Sequence, residues 1–355
     1  MTLSIGDDRV AAFHLACARG MGPVAFRTAV AREGGAGAAL ERLTQSQLKD
    51  ALTAAERLQH AAKEAGARIL MQGDAEYPAA VLDLPDAPPF LFALGDVRTL
   101  QAPMIAIVGT RRASSYGERM ARRLAGELSA AGVIVVSGLA RGIDAAAHEA
   151  ALASGGSTIA VVAGGVDCAH PPRHRALHEA IAVKGLVLGE SPCGTAPRPG
   201  SFPRRNRIIA ALGAATVVVE AGVPSGARLT ADLAIDLGRA VGAVPGPVDS
   251  PTSVGTNTLI RDGAAVITSV ADILMAAGIR VRPPVASVAS TPAENGLAGQ
   301  GALAQRVWQR LRREPASLDE LVVDAGTAPR EVMRALTSLE MAGLVVADAS
   351  RYVAV

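Results

Sequence analysis

A doubly wound, mostly parallel α/β sheet is the fold predicted by the middle of this sequence, on three observations. First, Met104–Val108 and Val133–Val136 are runs of four or five β-favouring apolar residues, and they flank a stretch with helical apolar spacing. Second, the same β-then-α rhythm repeats to about residue 277. Third, polar, glycine-rich motifs fall where the strands should end. They are Gly109-Thr110-Arg111, Ser137-Gly138, Gly164-Gly165, Glu190, Glu220-Ala221-Gly222 and Pro245-Gly246. Open sheets of this class bind ligands at the carboxyl ends of their strands, near the point where strand order reverses.

Taken in order, residues 1–66 read as small helices. Val10–Ala18, the turn Gly20-Met21-Gly22-Pro23 and Val24–Ala31 have the form of a helix-hairpin-helix or SAM-like unit, or of an αα-corner with glycine caps. Residues 67–278 hold the sheet. Ile69–Met71 predicts a short strand. Prolines 78, 85, 88 and 89 enforce a turn-rich path to Phe90–Leu94, a strand suited to a sheet edge. Further strands are expected at 104–108, 133–136, 158–162, 186–189, 215–219, 241–244 and 265–267. Helices are expected at 116–131, 142–153, 173–183, 204–212, 227–238 and 270–276. Residues 279–301, rich in Pro, Ala, Ser and Gly, predict a flexible linker. Residues 302–355 predict a winged helix. Leu303–Arg313 is its first helix, Ser317 caps the second and Thr327 the third, and residues 343–346 and 351–354 pair as a hairpin. Its third helix sets Arg330 and Arg334 against Glu331 and Glu340, which fits a protein contact or accessory role at least as well as duplex reading.

Composition excludes several classes. Half of the 355 residues are hydrophobic but only 3% are aromatic, so the core must be Ala, Val, Leu and Ile. The net charge of +2 proves no polyanionic partner. Of the 35 basic residues only Lys49, Lys63 and Lys184 are lysine, so clusters of arginine carry the information. Three distant cysteines, Cys17, Cys168 and Cys193, fit a reduced compartment rather than a disulfide framework. No signal peptide and no apolar run of membrane-spanning length is read, so a cytoplasmic protein is expected. No Gly-x-Gly-x-x-Gly follows the first strand and no Gly-x-x-x-x-Gly-Lys-Ser/Thr occurs, which argues against a dinucleotide cofactor and a P-loop. Cys168, His170, His174 and His178 raise a metal site, but their spacing fits the polar start of a helix better.

The candidate binding residues gather at the strand ends. The turns at Gly109-Thr110-Arg111-Arg112 and Gly138-Leu139-Ala140-Arg141 open onto helix N-termini, add arginine and carry no carboxylate in their first residues. Each is a natural seat for a phosphate. The densest cluster, Arg198-Pro199-Gly200-Ser201-Phe202-Pro203-Arg204-Arg205-Asn206-Arg207, puts arginine at a helix start, where it opposes the dipole. Arginines, backbone N–H groups and one aromatic platform describe a site for single-stranded nucleic acid. The alternative is that Arg207 pairs with Glu190 or Glu220. Ser225-Gly226 is a further turn into a helix, and Asn257 either caps a helix that it begins or holds a loop near the crevice.

These motifs resemble the DNA-processing protein A (DprA, also Smf) family. The carrying segments are residues 109–117, 137–148 and 202–210, with the stretches around Gly226 and Asn257. The resemblance implies a dimeric protein that binds single-stranded DNA, protects it during natural transformation and loads the RecA recombinase. It implies no catalysis, no cofactor and no required metal. Similar proteins grip the strand at the Gly-Thr-Arg turn, here Arg111, and at the Gly-Ser-Phe segment, here Gly200, Ser201 and Phe202. Some members offer a lysine where this chain has Pro199, beside Arg198. Other departures are His170 in place of a tyrosine, Arg228 in place of an apolar residue, and Ala211-Leu212-Gly213 in place of Gly-Leu-Ser. A rival enzyme reading, a phosphoribohydrolase of related fold, requires Pro-Gly-Gly-x-Gly-Thr; Glu220–Gly226 lacks it. A second rival, a duplex-reading regulator built on the winged helix, is disfavoured by the weakly basic third helix.

Overall fold

The computed structural model describes residues 5–280, 301–312, 316–342, 344–348 and 351–354. They group into two compact units, Met1–Arg282 and Pro283–Val355. The linker expected at 279–301 lies almost wholly outside the described residues.

The first unit opens with four helices, α1 (Ile5–Ala16), α2 (Pro23–Glu33), α3 (Ala36–Glu41) and α4 (Gln45–Glu64). Leu15, Phe26, Ala36 and Ala39 form their small core. Thr44 and Gln47 close the start of α4 as a reciprocal capping box. Phe13 and Ala55 pack against Met71 of the sheet, and Arg9 ties α1 to Asp74 at 2.6 Å.

The sheet has nine strands: β1 (Arg68–Met71), β2 (Phe90–Gly95), β3 (Met104–Val108), β4 (Ile134–Ser137), β5 (Thr158–Val162), β6 (Leu186–Gly189), β7 (Ala215–Val218), β8 (Ala240–Ala243) and β9 (Ala265–Val266). Their order is β1-β2-β6-β5-β4-β3-β7-β8-β9. From β6 to β9 every pairing is parallel, while β2 runs antiparallel to β6 and β1 antiparallel to β2. The Phe90–Leu94 run therefore joins the sheet as expected, but β1 covers it and forms the edge itself.

Seven helices follow: α5 (Ser115–Ala130), α6 (Ile143–Ala153), α7 (Arg175–Lys184), α8 (Ser201–Leu212), α9 (Gly226–Asp236), α10 (Val254–Arg261) and α11 (Val270–Ala276). All five residues of β3 are buried, as a central strand covered on both faces requires. Ile105 and Ile107 meet α5, α6 and α11 through Leu124, Leu128, Ile143 and Ile273. Ala106 and Val108 meet the opposite layer, where Ile208 and Ile209 of α8 and Ala231 of α9 pack. Two element boundaries differ from the sequence reading in ways that matter. Helix α8 begins at Ser201 rather than 204, so its arginines stand beyond the first turn. Asn257 lies inside α10 rather than at its start.

Strand order reverses at β3. The chain lays β4, β5 and β6 on one side of it and β7, β8 and β9 on the other. The crevice of a doubly wound sheet therefore opens between the loops after β3 and β7.

In the second unit, α12 (Ala302–Leu311), α13 (Leu318–Ala325) and α14 (Pro329–Met341) enclose Trp308, Leu311, Leu321, Leu336 and Leu339. The hairpin β10 (Val345–Asp348) and β11 (Arg351–Ala354) pairs antiparallel. Ser317 caps α13 as expected, in a capping box with Glu320. Thr327 does not cap α14. The cap position is Ala328, and the Thr327 hydroxyl donates to Glu331 instead.

Candidate nucleic-acid interface

The loop after β3 is held from inside. Glu220, at the end of β7 and 2% exposed, places its carboxylate under the start of α5. It accepts from Ser114 N at 2.9 Å, Ser114 Oγ at 2.5 Å and Thr252 Oγ1 at 3.1 Å. The Glu220 carbonyl accepts from Thr110 N at 2.8 Å. Only glycine at 117 allows this approach, because a Cβ there would stand 2.1 Å from Glu220 Oε2. The loop after β4 uses the same device. Asp144, in the first turn of α6, accepts from Gly138 N at 3.1 Å and Ala140 N at 3.3 Å. Burial raises the Asp144 carboxyl above its ordinary range, and Arg205 and these N–H groups oppose that shift.

The expectation that both turns are vacant phosphate seats is corrected accordingly: their helix starts already hold the chain's own carboxylates. Of the three glycine turns, the one at α9 holds no such carboxylate. Ser225 caps it, accepting from Ala227 N at 3.2 Å, and no acid stands in its first turn. Ser225, Gly226 and Thr230 face the crevice.

Helix α8 carries the arginine cluster, and its arginines divide. Arg205 is wholly internal: its Nη1 donates to Gly138 O at 2.6 Å and also to Val161 O. Burial pulls its guanidinium down to about 10. A Cβ at Gly138 would lie 2.5 Å from Arg205 Nη2, so glycine there admits the guanidinium. Arg207 is 6% exposed and ion-paired with Glu190 at 2.7 Å and Asp86 at 3.1 Å. The alternative weighed for Arg207, a pairing with Glu190, is the one realised. Arg204 takes the other Glu190 oxygen at 2.6 Å with its own head half exposed. Neither Arg204 nor Arg207 lines the main crevice. Both clamp α8 to the end of β6.

That clamp presents Phe202. The Arg111 guanidinium lies 5.2 Å from the Phe202 ring centroid, within cation–π range, and the His170 ring stands 5.6 Å away. Asn206, one turn on, reaches Gly226 O at 3.4 Å and links α8 to the start of α9. Ser201 and Arg198 lock the preceding turn by reciprocal bonds at 2.7 and 3.0 Å. The resulting crevice, about 710 Å³, is bounded by Gly109, Thr110, Arg111, Phe202, Asn206, Ser225 and Gly226. A smaller cavity of about 350 Å³ lies across Arg111 and Phe202, walled by Gly138, Arg141, His170 and Arg173.

Of the proposed site residues, Gly109, Thr110, Arg111, Phe202, Asn206, Ser225 and Gly226 thus come together, and Gly138 and Arg141 line the adjoining cavity. Arg112, Arg198 and Gly200 are exposed in the flanking loops. Asn257 stands apart: its side chain brackets Gly246, accepting from N at 3.2 Å and donating to O at 3.0 Å, so it holds a loop and caps nothing. His174 and His178 each spend a ring nitrogen on a carbonyl, of Leu139 and Val166. Among the described residues no group of three His, Cys, Asp or Glu side chains is placed to hold a metal, and no helix is long and apolar enough to cross a membrane. The three cysteines are free. Sequence reasoning missed Arg173 as a lining residue; its signal was position, one residue past the Pro171-Pro172 turn.

The arginines of this rim lack acidic partners, as Arg19, Arg27 and Arg57 of the helical start also do, but they are gathered around one crevice. Arg9, Arg42, Arg68, Arg98, Arg122 and Arg239 each hold an acidic partner. Arg111, Arg112, Arg141, Arg173 and Arg198 have no carboxylate within ion-pair distance among the described residues, and all five are exposed on the loops around the crevice. Unneutralised arginine on one rim is a surface for a polyanion.

Known proteins resemble this chain over most of its length. The family model described as DNA recombination-mediator protein A matches residues 68–278, and that of the DprA winged helix domain matches 290–349. Protein Smf of Synechocystis sp. is 35% identical over 308 residues, 78% of this chain and 77% of that protein. A putative DNA processing protein DprA of Mycobacterium tuberculosis is 39% identical over 300 residues, 79% and 75% of the two chains. The X-ray structure of DNA processing protein A from Streptococcus pneumoniae superposes with a TM-score of 0.66 at 30% identity, covering 78% of this chain and 98% of that one. A Helicobacter pylori DNA processing protein A, whose structure describes a single-stranded DNA binding mode, superposes with a TM-score of 0.54 at 32% identity, covering 59% and 94%. With its sheet, its winged helix and these likenesses, the chain belongs to the DNA recombination-mediator protein A family.

Proposed function

We propose that this protein binds single-stranded DNA at the carboxyl edge of its sheet, protects it, and hands it to the RecA recombinase, acting as a homodimer in the cytoplasm and without catalysis. The observation that carries the reading is the Arg111 guanidinium over the Phe202 ring at the topological switch point, with further arginines free of acidic partners on the loops around it. Arg111 and the open start of α9 take phosphates. The Phe202 ring, with the Arg111 guanidinium over it, offers a flat face to a base, and stacking tolerates any sequence. A duplex keeps its bases inside the stack and presents none to that face. Asp144, which lines the crevice, and Glu220, beneath the loop after β3, are committed to backbone N–H groups and hydroxyls, which supports binding over acid–base chemistry. The Helicobacter pylori relative described for its single-stranded DNA binding supports the same ligand here.

The test is fluorescence anisotropy with single-stranded and duplex oligonucleotides at two salt concentrations. Preference for the single strand, lost in Arg111→Ala and Phe202→Ala, is the expected result. Equal duplex binding that ignores both substitutions overturns it. Transfer to RecA is read by recombinase filament formation on strands already coated with a single-strand-binding protein, and dimerisation by light scattering.

A further inference from the structure

The motif that runs from Gly109 to Gly117 contains one aromatic residue without a task in that reading, Tyr116. It stands in the first turn of α5, the helix that the Arg111 loop enters. Its ring packs against the core cluster of Ile105, Ile107 and Leu124, and its hydroxyl donates to Pro245 O at 2.8 Å, so the side chain is fixed at both ends. The Arg119 guanidinium lies 5.6 Å from the Tyr116 ring centroid, within cation–π range. On α5, outside the crevice, this repeats the arrangement of Arg111 and Phe202.

Arg119 is exposed and has no carboxylate within ion-pair distance among the described residues. Arg112, just before the helix, is in the same condition, and Glu118 in the first turn of α5 is paired with neither. The next two arginines of α5 differ. Arg122 pairs with Glu149 at 2.7 Å, while Arg123 lies 3.9 Å from Glu127 and donates to Thr268 O. Open positive charge therefore continues from Arg111 through Arg112 to Arg119 and stops there. The ring beneath Arg119 restricts its guanidinium before any ligand arrives, which lowers the entropy lost on binding. A guanidinium so held offers N–H groups to a phosphate and a flat face to a base.

We infer that a single strand leaving the crevice runs over the start of α5, with one phosphate at Arg112 and a further contact at the Arg119 guanidinium. The inference rests on the single-stranded DNA reading above and lengthens its footprint. Tyr116 acts through Arg119 and is a positioning residue.

The experiment is a salt titration of oligothymidylate binding by the full chain. It uses a short strand of about 4 nucleotides and a long one of about 16, the two ends of the range of site sizes among single-strand binders. Arg119→Ala is expected to lose about 0.7 from the slope of log K against log salt on the long strand, the amount of one phosphate contact, and nothing on the short one. Arg119→Lys should restore the slope, since lysine still serves as a point charge on phosphate. Tyr116→Phe keeps the ring and should bind as wild type. Tyr116→Leu frees Arg119 and should weaken binding of the long strand alone, with its slope retained; unchanged binding by this variant overturns the positioning role. Arg119→Ala with a wild-type slope on the long strand, while Phe202→Ala weakens binding of both lengths, overturns the track and leaves the crevice standing. An equal loss of slope on both lengths, or the same loss in Arg122→Ala, traces the effect to the general field of the helix and overturns the track too. Wild-type binding by Phe202→Ala overturns the crevice reading and the track with it.

Discussion

Two groups of arginines meet at the sheet edge and do opposite work. On α8, Arg205 and Arg207 are buried and Arg204 lies against the same acid as Arg207. On the loops, Arg111, Arg141 and Arg173 stand in solvent with no acid in reach. A dense arginine run in a sequence draws attention as a binding patch, yet here the run is mostly internal bracing, and the scattered arginines form the open positive surface. What separates them is the company of carboxylates. Glu190, Asp86 and Asp144 lie around α8, whereas the carboxylate of Glu220, beneath the loop of Arg111, is spent on Ser114 and Thr252.

The sharpest way to break this comparison is Arg205→Ala. Removing a buried donor leaves its acceptors unsatisfied, at a cost of about 1–3 kcal/mol for each group. Asp144 would lose its counter-charge, and the Gly138 and Val161 carbonyls their donor. Urea denaturation should register the loss. A change below about 0.5 kcal/mol, the size of an ordinary surface substitution, would show that Arg205 belongs with the loop arginines after all.

Much of this was legible in the sequence. The apolar runs at 104–108, 158–162 and 186–189 became β3, β5 and β6, because strands buried on both faces leave unbroken hydrophobic stretches. That Gly109-Thr110-Arg111 would stand at the crevice was readable, since the turns after parallel strands border it. The fates of Glu220 and Asp144 were not readable. Their partners, Ser114 at a separation of 106 residues and Gly138 across a tight turn, depend on how β7 lies beside β3 and how α6 tilts. The division of the α8 arginines was hidden for the same reason: helical spacing says which side chains share a face, but not that Glu190 and Asp86 wait under that face. The start of α8 was misjudged because Pro203 reads as a breaker, whereas within the first turn of a helix it costs no hydrogen bond.

Next in size is a pH effect outside the crevice. His148 is wholly buried, and the Thr158 hydroxyl donates to Val135 O at 2.6 Å. Thr158 can then only accept from His148 Nδ1 at 2.8 Å, which leaves Nε2 without a proton and without a partner. Burial, reinforced by Arg205 and His174, pulls the imidazole from 6.5 down to about 3. The folded-state value is depressed, so the stability is fully present above 6.5 and is lost as pH falls toward 3. Over that window one group contributes at most about 1.4 kcal/mol per pH unit. Chemical denaturation of wild type and His148→Gln at several acidic pH values should show the variant less steep. Parallel acid limbs would mean that the histidine takes up its proton without unfolding.

The loop side of the comparison predicts smaller effects on stability but clear effects on binding. Phe202→Ala removes one stacking platform, worth about 1–3 kcal/mol, so affinity for single strands should fall between several-fold and a hundredfold, with the salt slope retained. Arg111→Ala should lower affinity and slope together. The two substitutions touch one ring–guanidinium contact, so their effects should not add in the double variant. Full additivity would separate the groups and deny the shared platform.

The smallest effect belongs to Arg204, and it is the finest test of which group a residue joins. Its side chain is about half exposed, yet it reaches Glu190 at 2.6 Å, so it combines a loop arginine's solvent access with an α8 arginine's acidic partner. Exposed pairs of this kind contribute about 0–1 kcal/mol. If the partner decides the role, Arg204→Ala should lower stability by less than about 1 kcal/mol and shift affinity for single strands by less than about threefold, because Glu190 still holds Arg207 and α8 stays seated. If exposure decides it, the same substitution should lower the salt slope by the amount of one phosphate contact, about 0.7. A salt titration of this one variant distinguishes the two, and the geometry favours the partner, since a guanidinium already bidding for one carboxylate oxygen must leave it before it can meet a phosphate.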